Sequence, residues 1–132
     1  MTTNRFERTR ADHAQERAED YVEMIATLTQ EMGEARAVDL AQRLGISHVT
    51  VSKTIQRLQR EGYVSSLPYR SIFLTEKGSE LAHRAQERHE LVHSFLIRLG
   101  VPEPSAELDT EGIEHHVSDE TLAAMRAFVE RR

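Results

Sequence analysis

With 132 residues, 39% apolar and 30% charged, the chain has material for one ordinary domain or two small ones sharing a core. Its hydrophobic runs are too short to span a bilayer, and its N-terminus lacks a charged-then-apolar signal pattern, so a membrane protein is excluded and a cytoplasmic one expected. There is no cysteine, which excludes disulfides and thiolate ligands and leaves only Asp, Glu and His to hold a metal.

Residues 1–14 are polar and poor in aromatics, and they read as a flexible tail or an irregular first turn. Tyr21, Val22, Ile25 and Leu28 then mark an amphipathic helix that runs to Gly33. A short second helix is expected from Arg36 to Leu44, stopped at Gly45. Ser47 suits the N-cap of a third, His48 to Glu61, with Val51, Ile55 and Leu58 as its inward stripe. Tyr63 to Leu67 and Ser71 to Leu74 are β-prone runs joined by Pro68-Tyr69-Arg70, which predicts a small hairpin. Thr75 can cap a long helix to Leu99, with Leu81, Ala85, Leu91, Phe95 and Leu96 inward. A helix carrying Glu111 to His116 follows, and Ser118 opens a last one through Leu122, Met125 and Phe128. The fold is therefore expected to be mainly α: a winged helix-turn-helix over residues 15–75, then a helical part over 76–132.

Ala37 to Ile55 matches a helix-turn-helix. Ala41 permits close approach of the two helices, Gly45 makes the tight turn, and Leu40, Ile46, Val51 and Ile55 supply a shared core. The outward positions of the second helix are then Ser47, His48, Val49, Thr50, Lys53, Gln56 and Arg57, which suit phosphates and base edges in a major groove. Tyr69 and Arg70 at the wing tip face the neighbouring backbone. Net charge is −5, yet six basic residues stand against two acids between Arg36 and Arg70, so +4 sits there and −9 elsewhere. A basic middle between acidic ends fits a DNA-contacting module built into a metal-binding body.

Asp20 and Glu23 fall at i, i+3 on the first helix, and Glu111, Glu114 and His115 at i, i+3, i+4 near the end of the chain. His89 lies midway along the long helix. If these six converge, four carboxylates repel strongly without a cation. Oxygen-rich donors with some nitrogen and no sulfur suit Mn(II) or Fe(II), and four carboxylates suffice to bridge two divalent ions per subunit. Taken singly, Asp20 and Glu23 also read as acids favoured by the macrodipole at a helix start, and His89 as a half-buried surface histidine. His48, His83, His93 and His116 stand outside the ligand set, His116 as a group that could orient a ligand.

Asp20-Tyr21-Val22-Glu23, Gly45 through Lys53, Phe73 through Gly78, Arg88-His89-Glu90-Leu91 and Asp109 through His116 together resemble the diphtheria toxin repressor family, specifically its small manganese-responsive branch, the manganese transport regulators. The resemblance runs from about Glu19 to Phe128. It implies a homodimer, with a helical dimerisation and metal-binding domain over 76–132, that binds a palindromic double-stranded operator and represses metal-uptake genes. It implies metal ligation by Asp20, Glu23, His89, Glu111, Glu114 and His115. The iron-responsive branch has Met where Asp20 stands and Cys where Glu111 stands, which favours manganese here. An iron- or multi-metal-responsive regulator of the same family, and a metal-independent winged-helix repressor, are the alternatives. A metallohydrolase using paired ions lacks a nucleophile or general base apart from the ligand set, so neither an enzyme nor a small organic substrate is expected.

Overall fold

Ala18, Tyr21, Val22, Ile25 and Leu28 recur at helical spacing and bury one face of helix α1, Arg5–Met32. The computed structural model describes residues 5–67 and 70–131, and among these it has six helices and one two-stranded sheet. Helix α1 starts at Arg5, whereas the sequence predicts a tail through residue 14. The stretch from Arg5 to Ala14 contains neither Gly nor Pro. Its polarity removes the signature of an amphipathic stripe without breaking a helix.

Helices α2, Ala37–Leu44, and α3, His48–Arg60, form the helix-turn-helix. Gly45 takes φ 70° and ψ 33°, and its N–H donates to the Ala41 carbonyl, which also accepts from Ile46 N–H. An L side chain at position 45 would meet the left-handed penalty, so the turn depends on glycine. Ser47 Oγ accepts from Thr50 N–H at 3.1 Å, the cap expected of it. Leu40, Val51, Ile55 and Leu58 close on the α1 stripe. Ile46 does not join them: it is 36% exposed, whereas Leu44, just before the turn, is partly buried against this core.

The wing is shorter than the β-prone runs suggest. Strands β1, Val64–Ser65, and β2, Phe73–Leu74, pair antiparallel with Val64 opposite Leu74. Val64 and Ile72 are buried, but Phe73 is 60% exposed, so little apolar surface is available to extend the ladder. The base is tied elsewhere: Gln59 Nε2 donates to the Ser66 carbonyl at 3.1 Å and Ile72 N–H to the Ala35 carbonyl at 2.7 Å. The Ser71 hydroxyl donates to Glu34 at 2.7 Å, and with Arg36 alongside it holds that carboxyl below the ordinary carboxylate range. Tyr69, expected at the wing tip, lies outside the described residues.

Helix α4, Glu76–Leu99, starts from Thr75, whose Oγ1 accepts from Gly78 N–H at 3.1 Å and donates to the Gly62 carbonyl. Lys77 Nζ donates to the Glu61 carbonyl at 2.7 Å and lies 4.4 Å from the Tyr63 ring centroid. Gly78 is required by space: a Cβ there would stand 2.0 Å from the Tyr63 carbonyl oxygen. Backbone cannot rotate away as a side chain can. Gly78→Ala is expected to destabilise the fold by roughly 1–3 kcal/mol through overpacking. Thermal unfolding followed by circular dichroism measures this, and an unchanged midpoint would refute the contact.

The chain divides into two compact units, Arg17–His83 and Arg84–Arg132 with Met1–Glu16. The division falls inside α4, because Leu81 and Ala82 on its early turns bury in the winged-helix core. In the other unit, α5, Glu103–Ile113, and α6, Asp119–Glu130, complete the helical part. Val92, Leu96 and Ala106 form its core, with Phe95, Val101, Ile113, Leu122 and Met125 against them. Val92 is fully buried there, while Leu91, expected inward, is half-buried. Ser118 Oγ accepts from Thr121 N–H at 3.2 Å and caps α6. Among the described residues no helix is long and apolar enough to cross a membrane.

Candidate metal centre and nucleic-acid interface

The end of α5 sets the geometry of the metal-ligand candidates. Regular helix stops at Ile113, but Glu114 keeps helical angles (φ −57°, ψ −27°) and its N–H still reaches the Thr110 carbonyl at 2.9 Å. Glu111 and Glu114 therefore keep their i, i+3 relation, with His115 just beyond. Arg88 Nη1 donates to the Glu114 carbonyl at 3.0 Å and fixes this terminus from α4.

Glu114 is the centre of the cluster. Its side chain is 7% exposed, with His89 Nδ1 at 2.8 Å from one carboxylate oxygen and His115 Nε2 at 3.3 Å from the other. A carboxylate accepts, so His89 Nδ1 carries the proton of this hydrogen bond, and His89 Nε2 lies 3.8 Å from Glu107. The His115 side chain is 3% exposed. A buried carboxylate between two imidazoles is a hard and borderline donor set with no sulfur, which fits a first-row divalent ion. Glu111 is exposed on the last turn of α5.

In the other unit, Asp20 is exposed and Glu23 half-buried on α1. Because α1 begins at Arg5, both lie several turns inside the helix. The macrodipole acts within the first turn, so it does not account for them.

Two groups escape the sequence reading. Glu16, one turn ahead of Asp20, has Oε2 3.3 Å from His116 Nε2, and it offers a ligand atom within 4.8 Å of one on His115. His93, Glu103 and Glu107 offer ligand atoms all within 4.8 Å of one another. The His89 and His93 rings stack at 6.5 Å and 2°, and His93 Nε2 lies 2.9 Å from Glu103. The signal was available as spacing: His89 and His93 are i, i+4, and so are Glu103 and Glu107.

On α3 the buried face is Val51, Thr54, Ile55 and Leu58, which leaves Ser47, His48, Val49, Thr50, Lys53 and Gln56 exposed. Arg57 differs from expectation: it is half-buried and pairs with Glu61 at 3.7 Å, the i, i+4 partner on its own helix. Arg43 pairs with Glu31 at 2.6 Å and Arg36 with Glu34 at 2.9 Å. Half of the six basic residues thus face acids. Positive charge narrows to the exposed Lys53, Arg60 and Arg70.

Comparison with known proteins finds two family domains along the chain. Residues 13–72 match the iron dependent repressor N-terminal DNA-binding domain, and residues 75–132 match the iron dependent repressor metal-binding and dimerisation domain. The transcriptional regulator MntR of Escherichia coli O6:H1 is 48% identical over 126 residues, covering 96% of this chain and 81% of that protein. The MntR regulator of Geobacillus kaustophilus is 42% identical over 100 residues, covering 76% and 71%. A solved manganese-dependent transcriptional repressor in complex with manganese superposes with a TM-score of 0.74 at 32% identity, over 85% of this chain and 52% of that one. The chain thus spans about half the length of that solved protein. These matches bear out the resemblance drawn from the motifs, and the matched proteins are DNA-binding regulators, not enzymes. The chain belongs to the iron dependent repressor family, with a winged-helix DNA-binding domain followed by a metal-binding and dimerisation domain.

Proposed function

We propose that the protein is a manganese-dependent transcriptional repressor that works in the cytoplasm as a homodimer on a palindromic operator, recognises no small organic substrate, and represses metal-uptake genes. The observation that carries this reading is the buried Glu114 carboxylate between His89 and His115, in a chain without cysteine. Asp20, Glu23, His89, Glu111, Glu114 and His115 would hold Mn(II), and their four carboxylates give enough oxygens for two ions per subunit. When bound, the ion supplies the positive charge that offsets carboxylate repulsion.

Asp20 and Glu23 sit on α1, which also carries the apolar stripe of the DNA-reading core. His89, Glu111, Glu114 and His115 belong to the dimerisation domain matched over 75–132. Ligands drawn from both sets would fix the readers of a dimer about 34 Å apart, one turn of DNA, as symmetric half-sites require. Ser47, His48, Val49, Thr50, Lys53 and Gln56 would then meet the major groove, and Arg70 the neighbouring backbone. Arg57 would act from the side of α3, where it already pairs with Glu61. The donor set excludes the soft ligands that would favour other ions.

Footprinting on the gene's own upstream region, with and without Mn(II), tests the reading. Protection of a symmetric site only with metal is expected. Equal protection without metal would favour a metal-independent repressor.

A further inference from the structure

We propose that Glu16 is an additional oxygen ligand of the metal centre, reaching it from the turn of α1 that precedes Asp20. The inference rests on the proposed metal-dependent function. Glu16, Asp20 and Glu23 recur at i, i+4 and i+7, so one stripe of α1 carries three carboxylates. Glu16 lies beyond the first turn of a helix that begins at Arg5, so the macrodipole gives no reason for an acid there. Within the unit that holds the metal-ligand candidates of α4 and α5, Glu16 offers an oxygen within 4.8 Å of a His115 nitrogen. His115 is in turn 3.3 Å from Glu114, which is 2.8 Å from His89. His116 lies 3.3 Å from Glu16 Oε2 and serves to aim that carboxylate.

The chemistry follows from the donor count. Zinc is satisfied by four ligands, whereas a hard ion that prefers six or more oxygens and nitrogens gains from each further carboxylate. Glu16 therefore acts on metal choice more than on the fold.

The test uses the full-length, metal-free protein with no DNA present. Free Mn(II) is read by its paramagnetic resonance signal, and Zn(II) by competition with a chromophoric chelator. Glu16→Gln keeps the side-chain shape at a position about one-third exposed, and thermal melting of the metal-free variant checks the fold. Mn(II) affinity is expected to fall by about 10–100-fold in Glu16→Gln, with a smaller loss for Zn(II). The variant His116→Gln, which removes the aiming partner but keeps the oxygen, is expected to lose less. Wild-type Mn(II) affinity in Glu16→Gln, or an equal loss in His116→Gln, would overturn the assignment of Glu16 while leaving the proposed function standing. A wild-type protein that takes up no Mn(II) would overturn both.

Discussion

Replacing Glu114 by alanine is expected to abolish manganese-dependent operator binding while leaving a folded homodimer. The carboxylate is 7% exposed and sits between two imidazoles, so alanine removes the oxygens that both of them face. The supports of that backbone survive the substitution. Arg88 holds the Glu114 carbonyl, and the Glu114 N–H reaches Thr110, and alanine keeps both groups. The apolar core of this unit, Val92, Leu96 and Ala106, lies elsewhere on α4 and α5. Metal-to-DNA coupling of about 1–3 kcal/mol corresponds to roughly 5–150-fold in affinity, and that factor should disappear. Gel-shift titrations with Mn(II) measure it, and sedimentation reads the assembly. Monomers, or a surviving manganese response, would contradict the role given to Glu114.

The second large effect concerns Lys53. It is exposed on α3, opposite the buried face of Val51, Thr54, Ile55 and Leu58. Arg36, Arg43 and Arg57 are partly neutralised by Glu34, Glu31 and Glu61, so a larger share of the phosphate attraction falls on Lys53. Lys53→Ala removes one phosphate partner from each subunit. The slope of log affinity against log salt should become shallower by about 2, with weaker binding to specific and random DNA alike. Metal affinity measured without DNA should not change. An unaltered salt slope would show that Lys53 does not meet phosphate.

The local devices were legible in the sequence. Gly45, the Ser47 and Ser118 caps, and the starts and stops of α2 to α4 follow from residue chemistry within a few positions. What was not legible depends on partners distant in sequence. Ile46 has the character of a core residue, yet after the turn it stands 36% exposed while Leu44 before the turn packs against the core. Arg57 looks outward by period alone, but an acid one turn later draws it aside. Residues 5–14 lack the apolar stripe that marks a helix, although nothing in them forbids one. Glu16 and the His93–Glu103–Glu107 group show helical spacing in the sequence, but the partners that bring their ligand atoms together lie on separate segments. Gly78 shows the same dependence, since only the Tyr63 carbonyl explains it.

The cap at the start of α3 bears on how sequence could be read. Ser47 Oγ accepts from Thr50 N–H and also donates to Thr50 Oγ1 at 2.9 Å, so the two hydroxyls are already occupied with each other. On entering a major groove Ser47 could donate to a base only by giving up this hydrogen bond, which leaves little net gain, whereas the Thr50 hydroxyl accepts here and keeps its own proton to donate. Beside them stands Val49, 64% exposed, with the Thr50 methyl nearby. Apolar groups at that end of a reading helix favour the C5-methyl of thymine. Discrimination at this end would then come from fitting a methyl group against carbon, and it would be lost at a uracil that lacks that methyl.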